Sequence, residues 1–162
     1  VDTSGYRGGV FPELERLAEF GRFEEMIHAA RDALDEADDD GARDLHHYLS
    51  WAYLQLGLLE EALEHALAAD DPLDEAKACF HLWRFEEARA ALAECGDEGE
   101  AHWYRALVAE FTGEPFEDSR QRAIELEPGQ YWAPVRLDPN AIDQTVTQAL
   151  GSLPDELVPI AQ

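Results

Sequence analysis

Six histidines and a large excess of carboxylates are the side chains here that could do chemistry, so metal binding and acid–base catalysis come first. His46 and His47 are adjacent, and on a helix they diverge by roughly a hundred degrees, too far to share one ion easily. His28, His65, His81 and His102 fall in separate segments, and His46 and His102 hold equivalent places in a repeating pattern, which points to packing. Glu36, Asp38, Asp40 and Gly41 mimic the first half of a calcium loop. Position twelve of that frame is His47, not the bidentate glutamate such a loop needs, so an acidic turn is expected instead. The pairs Glu24-Glu25, Glu60-Glu61 and Glu86-Glu87 are sequence neighbours whose carboxylates diverge and do not meet across a substrate. Ser50, Ser119 and Ser152 lack a nucleophile elbow, and no glycine-rich phosphate loop is present. The expectation is no catalytic residue, no metal and no cofactor.

Charge narrows the partners. Twelve basic residues face 36 acidic ones, a net of −24, and Lys77 is the only lysine. Such a surface repels nucleic acid and anionic membranes, and attracts basic peptides or cations. The acids are spread along the whole chain, which favours general solubility or adaptation to high salt over a partner-binding role. No apolar run approaches the roughly 20 residues of a membrane span. Residues 1–7 have no apolar core of a signal peptide. Cys79 and Cys95 are expected as free thiols, which suits a reducing cytoplasm.

The elements are organised by one recurring corner. Leu56-Gly57-Leu58-Leu59-Glu60-Glu61-Ala62 has counterparts in Phe20-Gly21-Arg22-Phe23-Glu24-Glu25-Met26 and Leu82-Trp83-Arg84-Phe85-Glu86-Glu87-Ala88, and a looser one at Thr112-Gly113-Glu114-Pro115-Phe116-Glu117-Asp118. Glycine ends one helix with a positive φ, and the acidic pair starts the next, where unpaired N–H groups favour negative charge. The periodicity predicts helices over 10–20, 23–37, 44–56, 59–69, 74–82, 85–95 and 100–112, with Pro115 in the first turn of another that closes near Pro128. Asp38-Asp39-Asp40-Gly41 reads as a break, and the third unit as shortened. Residues 1–9 read as a loose tail. Beyond Gly129 two prolines interrupt an extended stretch before a last helix, capped by Asp138 or Asn140 and carrying Ile142, Val146 and Leu150.

These corners and the residues around them resemble tetratricopeptide repeats, over about residues 10–128. Leu49, Ser50, Tyr53, Gly57, Ala62, Ala66 and Ala69 stand at that family's packing positions, and Ala123-Ile124-Glu125-Leu126-Glu127-Pro128 is similar to its closing motif. The resemblance implies an all-α fold, an α-solenoid of about four antiparallel helix pairs plus a C-terminal helix. It implies a concave groove lined by the first helix of each pair. Carried over, His47, Trp51, Gln55, Lys77, His81, Trp103, Leu107 and Glu110 would face a peptide or partner segment, with Trp51 and Trp103 as anchors.

A fainter resemblance lies in residues 133–162. Ala133-Pro134-Val135-Arg136-Leu137 and Ala149-Leu150-Gly151-Ser152-Leu153-Pro154-Asp155-Glu156-Leu157 are similar to the opening helix of small bacterial zincin-like metallopeptidases. Their His-Glu-x-x-His signature is missing, so residues 129–162 would be a linker and the start of a further domain whose catalytic half lies elsewhere. The leading expectation is a protein-interaction module. The alternatives are the substrate-recruiting or regulatory front of a zinc peptidase, or a part that associates with its own copies.

Overall fold

The computed structural model describes residues 10–132 and 139–151, and among them the chain is all-α. The helices are α1 (Val10–Glu19), α2 (Phe23–Leu34), α3 (Asp39–Leu56), α4 (Leu59–Ala69), α5 (Pro72–His81), α6 (Phe85–Glu94), α7 (Gly99–Thr112), α8 (Glu117–Leu126) and α9 (Pro139–Gly151). A first compact unit reaches to Tyr131, and a second begins at Trp132 and contains α9. No described helix is long and apolar enough to cross a membrane.

Within the first unit each helix packs on the next in sequence, and α3 also touches α5, as α5 touches α7. Four tight corners set this arrangement. Gly21, Gly57 and Gly113 adopt φ of 66°, 72° and 78°. Beyond each, one N–H reaches back five residues: Arg22 to Leu17 O, Leu58 to Tyr53 O and Glu114 to Ala109 O, at 2.8–3.0 Å. Those bonds satisfy carbonyls that a helix end would otherwise leave bare. Trp83 makes the same corner at φ 62°, and Arg84 N–H bonds Cys79 O at 2.8 Å. A left-handed conformation costs a residue with a Cβ roughly 1–2 kcal/mol. At Trp83 part of that cost is offset by ring contacts with Phe85 and Phe111. Gly57 isolates the backbone term, since a Cβ there meets nothing within 4 Å. Gly57→Ala should therefore lose about 1 kcal/mol, read as a lower urea midpoint with an unchanged slope.

The acidic pairs at 24–25, 60–61 and 86–87 do fall in first turns, of α2, α4 and α6. Two of these turns are held further by Arg22–Glu25 and Arg84–Glu87 pairs. Four helix starts differ from the sequence expectation. Asp38-Asp39-Asp40-Gly41 is not a break: Asp38 is the N-cap of α3, accepting from Gly41 N–H at 2.8 Å, and the next two acids sit in the positive first turn. Glycine suits position 41 because a Cβ would crowd that capping carboxylate at 3.0 Å. The helix expected from residue 74 starts two residues earlier: Pro72 opens α5 as a first-turn proline, with Asp71 as N-cap. Pro115, by contrast, lies ahead of α8, so its assignment to the first turn is corrected. Asn140 is likewise inside α9 and not its cap, while Asp138 lies outside the described residues, as do the tail 1–9 and most of the zincin-like segments.

The core of the first unit is built of a few large side chains set among many alanines. Leu14, Met26, Leu45 and Leu49 are essentially inaccessible, between Ala30, Ala52, Ala62, Ala66 and Ala76. The small residues let helix backbones approach closely. The same packing places α3, α5 and α7 side by side.

Candidate functional site

The α4–α5 link positions the most unusual polar group in the first unit. Asp70 ends α4 in a left-handed conformation, φ 55°, and Asp71 immediately caps α5, accepting from Leu73 N–H at 3.0 Å and Asp74 N–H at 3.1 Å. Asp71 and Asp74 thereby both turn toward His47 on α3. His47 Nδ1 lies 3.0 Å from Asp71 Oδ2 and 2.9 Å from Asp74 Oδ2. The other oxygen of Asp74 meets Lys77 Nζ at 3.1 Å, and Lys77 reaches on to Glu100 of α7 at 3.0 Å. A chain of opposite charges so runs from α3 through α5 to α7. Beside it opens a cavity of about 590 Å³, lined by Arg43, Asp44, His47, Asp71, Glu94 and Cys95 among others.

Electrostatics follow from this geometry. The hydrogen bond to Asp71 and the close negative charge of Asp74 push the pKa of His47 up to about 10, against the opposing effect of burial. The same bond from His47, helped by the backbone N–H groups of Asp74 and Leu73, pulls Asp71 down to about 2. Burial lowers Lys77, but Asp74 and Glu100 outweigh it and the net shift is upward. Linkage gives a sign for His47. Its folded pKa lies above the unfolded 6.5, so its stabilisation is complete below that value and disappears as pH rises through about 10. His47 is half exposed, and after screening the effect is about 1 kcal/mol. With chelator present, the gap in urea stability between wild type and His47→Gln should close by that amount between neutral pH and pH about 10.

The eight groove residues are distributed along α3, α5 and α7. His47 and Lys77 are linked through Asp74. His81 is exposed, with its ring against Phe80 and Tyr104. Trp51 is half-buried edge-on to Phe23 at 5.8 Å, and Trp103 stacks on Tyr131 at 4.9 Å. Glu110 pairs with Arg120 at 2.6 Å; Gln55 is exposed and Leu107 half-buried. Of the eight, His47 alone lines the 590 Å³ cavity. Cys79 and Cys95 are both unpaired, and burial raises both thiols, Cys79 to about 11, which leaves them poor nucleophiles.

Two features escaped sequence reasoning. One is the partnership of His47 with Asp71 and Asp74, although an aspartate before a proline with a second aspartate at the third helical position is a readable helix start. The other is an aromatic cluster at the α5–α6 corner. Phe80, Phe85 and Phe111 lie 5.6–5.9 Å apart, and Trp83, 70% exposed, stands edge-on to Phe111 at 5.5 Å. His46 and His65, meanwhile, stack on each other, and His65 also stacks on Tyr53. Their Nδ1 atoms are 2.8 Å apart, and burial lowers both pKa values, so one neutral ring donates to the other.

Fold and site together define an all-α protein in which α3 touches α5 and α5 touches α7. Compared with protein-family models, curated proteins and solved structures, the chain gives no match.

Proposed function

We propose that this chain is a protein-interaction module of tetratricopeptide-like helix pairs, taking a basic peptide or partner segment along the face of α3, α5 and α7. The observation that carries the reading is the side-by-side contact of these three helices, made through His47 with Asp71 and Asp74, Lys77 with Glu100, and Phe80 with Tyr104. Positions 47, 51 and 55 form one stripe of α3, 77 and 81 one stripe of α5, and 103, 107 and 110 one stripe of α7. The four equivalent corners support a repeated unit, since each uses the same positive φ and the same five-residue return bond. The charge of −24 favours a basic partner and speeds its encounter.

Selection from a random peptide library tests this reading. Enriched peptides should be basic and carry an apolar anchor. Trp51→Ala with Trp103→Ala should then weaken binding by roughly 30-fold or more, the scale of a hot-spot residue, with circular dichroism unchanged. A library that yields no enriched sequence, or a double variant that binds as the parent does, rules the face out.

A further inference from the structure

His47, Asp71 and Asp74 bring one imidazole nitrogen and two carboxylates to a common point, each offering an atom within 4.8 Å of the others. A ring nitrogen carries at most one hydrogen. Nδ1 donates it to Asp71 Oδ2 at 3.0 Å. Asp74 Oδ2 approaches the same nitrogen to 2.9 Å, in ion-pair range, yet has no hydrogen-bond partner of its own. Asp74 is only 1% exposed, so solvent does not fill the gap. One hydrogen is thus shared out among two carboxylates, and a buried oxygen aimed at the cluster is left over.

We propose that His47, Asp71 and Asp74 form a binding site for a divalent transition-metal ion, with Zn²⁺ the best fit, that ties α3 to α5. The donor set decides the class of ion. One imidazole nitrogen with two carboxylate oxygens suits zinc and its first-row neighbours. Calcium takes six to eight oxygens and magnesium an octahedron of them, more than this site offers. Zinc–ligand distances of about 2.1 Å in a tetrahedron put neighbouring ligand atoms roughly 3.4 Å apart. The two distances from His47 Nδ1, 3.0 Å to Asp71 and 2.9 Å to Asp74, need to lengthen by only a few tenths of an ångström, and the half-exposed His47 side chain has room to supply that. A fourth position faces the cavity that His47 and Asp71 line, where water or a partner's side chain could complete the shell. Charge also favours the ion. Asp71, Asp74 and Glu100 carry three negative charges, which Lys77 and a divalent cation beside a neutral imidazole would balance.

The test is calorimetric titration of the purified, chelator-stripped chain with Zn²⁺ at mildly alkaline pH, where the metal competes better with the imidazole's proton. One ion should bind per chain, without competition from excess Mg²⁺. His47→Gln changes an exposed position, and Asp71→Asn keeps a residue that caps as well as aspartate, so both variants should fold, as circular dichroism will report. Each should bind Zn²⁺ about 100-fold more weakly or worse, because even outer-shell partners of a metal are worth about 10–100-fold. Substituting Co²⁺ should give visible ligand-field bands in the wild type that His47→Gln abolishes. His65→Gln is the control, since His46 and His65 are the rival pair of nitrogens. Only weak, multiple binding to the acidic surface, binding untouched by His47→Gln, or binding lost with His65→Gln would each overturn the site.

Discussion

Asp74→Ala should cost about 3 kcal/mol of folding stability, more than any surface charge change in this chain. Asp74 is a fully buried carboxylate that faces two cations, Lys77 Nζ at 3.1 Å and His47 Nδ1 at 2.9 Å. Removing it strands Lys77, whose side chain is only 14% exposed, and takes a partner from the half-exposed His47; breaking such a buried pair costs about 3–5 kcal/mol. The lower figure applies because Lys77 keeps Glu100, and His47 keeps Asp71. Asp74→Asn should be nearly as damaging, because an amide no longer offers the negative charge both cations need. The double change Asp74→Leu with Lys77→Met should recover much of the loss, since apolar side chains of similar volume often replace a buried ion pair at little cost. Glu100, whose side chain is 40% exposed, can then rehydrate. Urea denaturation of the wild type and the three variants in chelator-containing buffer measures this directly. A loss below about 1 kcal/mol for Asp74→Ala would mean that the pair is already solvated and weak.

The corners were legible because each condenses its instruction into four or five neighbouring residues. Gly21, Gly57 and Gly113 supply the positive φ, and the following acids supply the helix start, so both signals are local. Even Trp83 could be aligned to the same position by its neighbours, although its conformation runs against its residue type. The misread segments fail for an equally physical reason. Asp38-Asp39-Asp40-Gly41 looks like a turn by composition, but three acids ahead of an apolar stripe are also what a helix N-terminus wants. Local preference left both outcomes open, and the helix is the one in which Asp38 caps the N–H of the buried Gly41. The His47 cluster was out of reach for another reason. It joins α3 to the start of α5 across the whole of α4, so its distances depend on how the helices pack and on no motif. The same holds for Phe111, which meets Phe85 and Trp83 only because α7 lies against the α5–α6 corner.

Leu49→Ala should lose about 4 kcal/mol, toward the upper end for a buried leucine. The size of the effect follows from what surrounds the site. Leu49 is 0% exposed in the middle of α3, the longest helix described, which packs against α2, α4 and α5. Those helices present mainly alanines to the core, among them Ala30, Ala62, Ala66 and Ala76. Alanine has no rotamer with which to fill a void, so the backbone would have to move to close one. Four-way packing resists that movement, and the cavity stays open with its full cost. The reverse change, Ala62→Leu, should be harmful for the complementary reason, at about 1–3 kcal/mol, because the close approach of α3 and α4 leaves no volume for three more carbons. Leu63, at 8% exposure near the rim, should tolerate alanine better than Leu49 does. Thermal and urea unfolding of Leu49→Ala, Leu63→Ala and Ala62→Leu give the ranking. If Leu49→Ala and Leu63→Ala lose the same small amount, the core relaxes around missing side chains and rigid alanine packing is not what holds α3, α5 and α7 in line. A large gap between the two leucines means that α3, α5 and α7 owe their alignment to the packing around Leu49, and, if the proposed function holds, Leu49→Ala should weaken peptide binding as well.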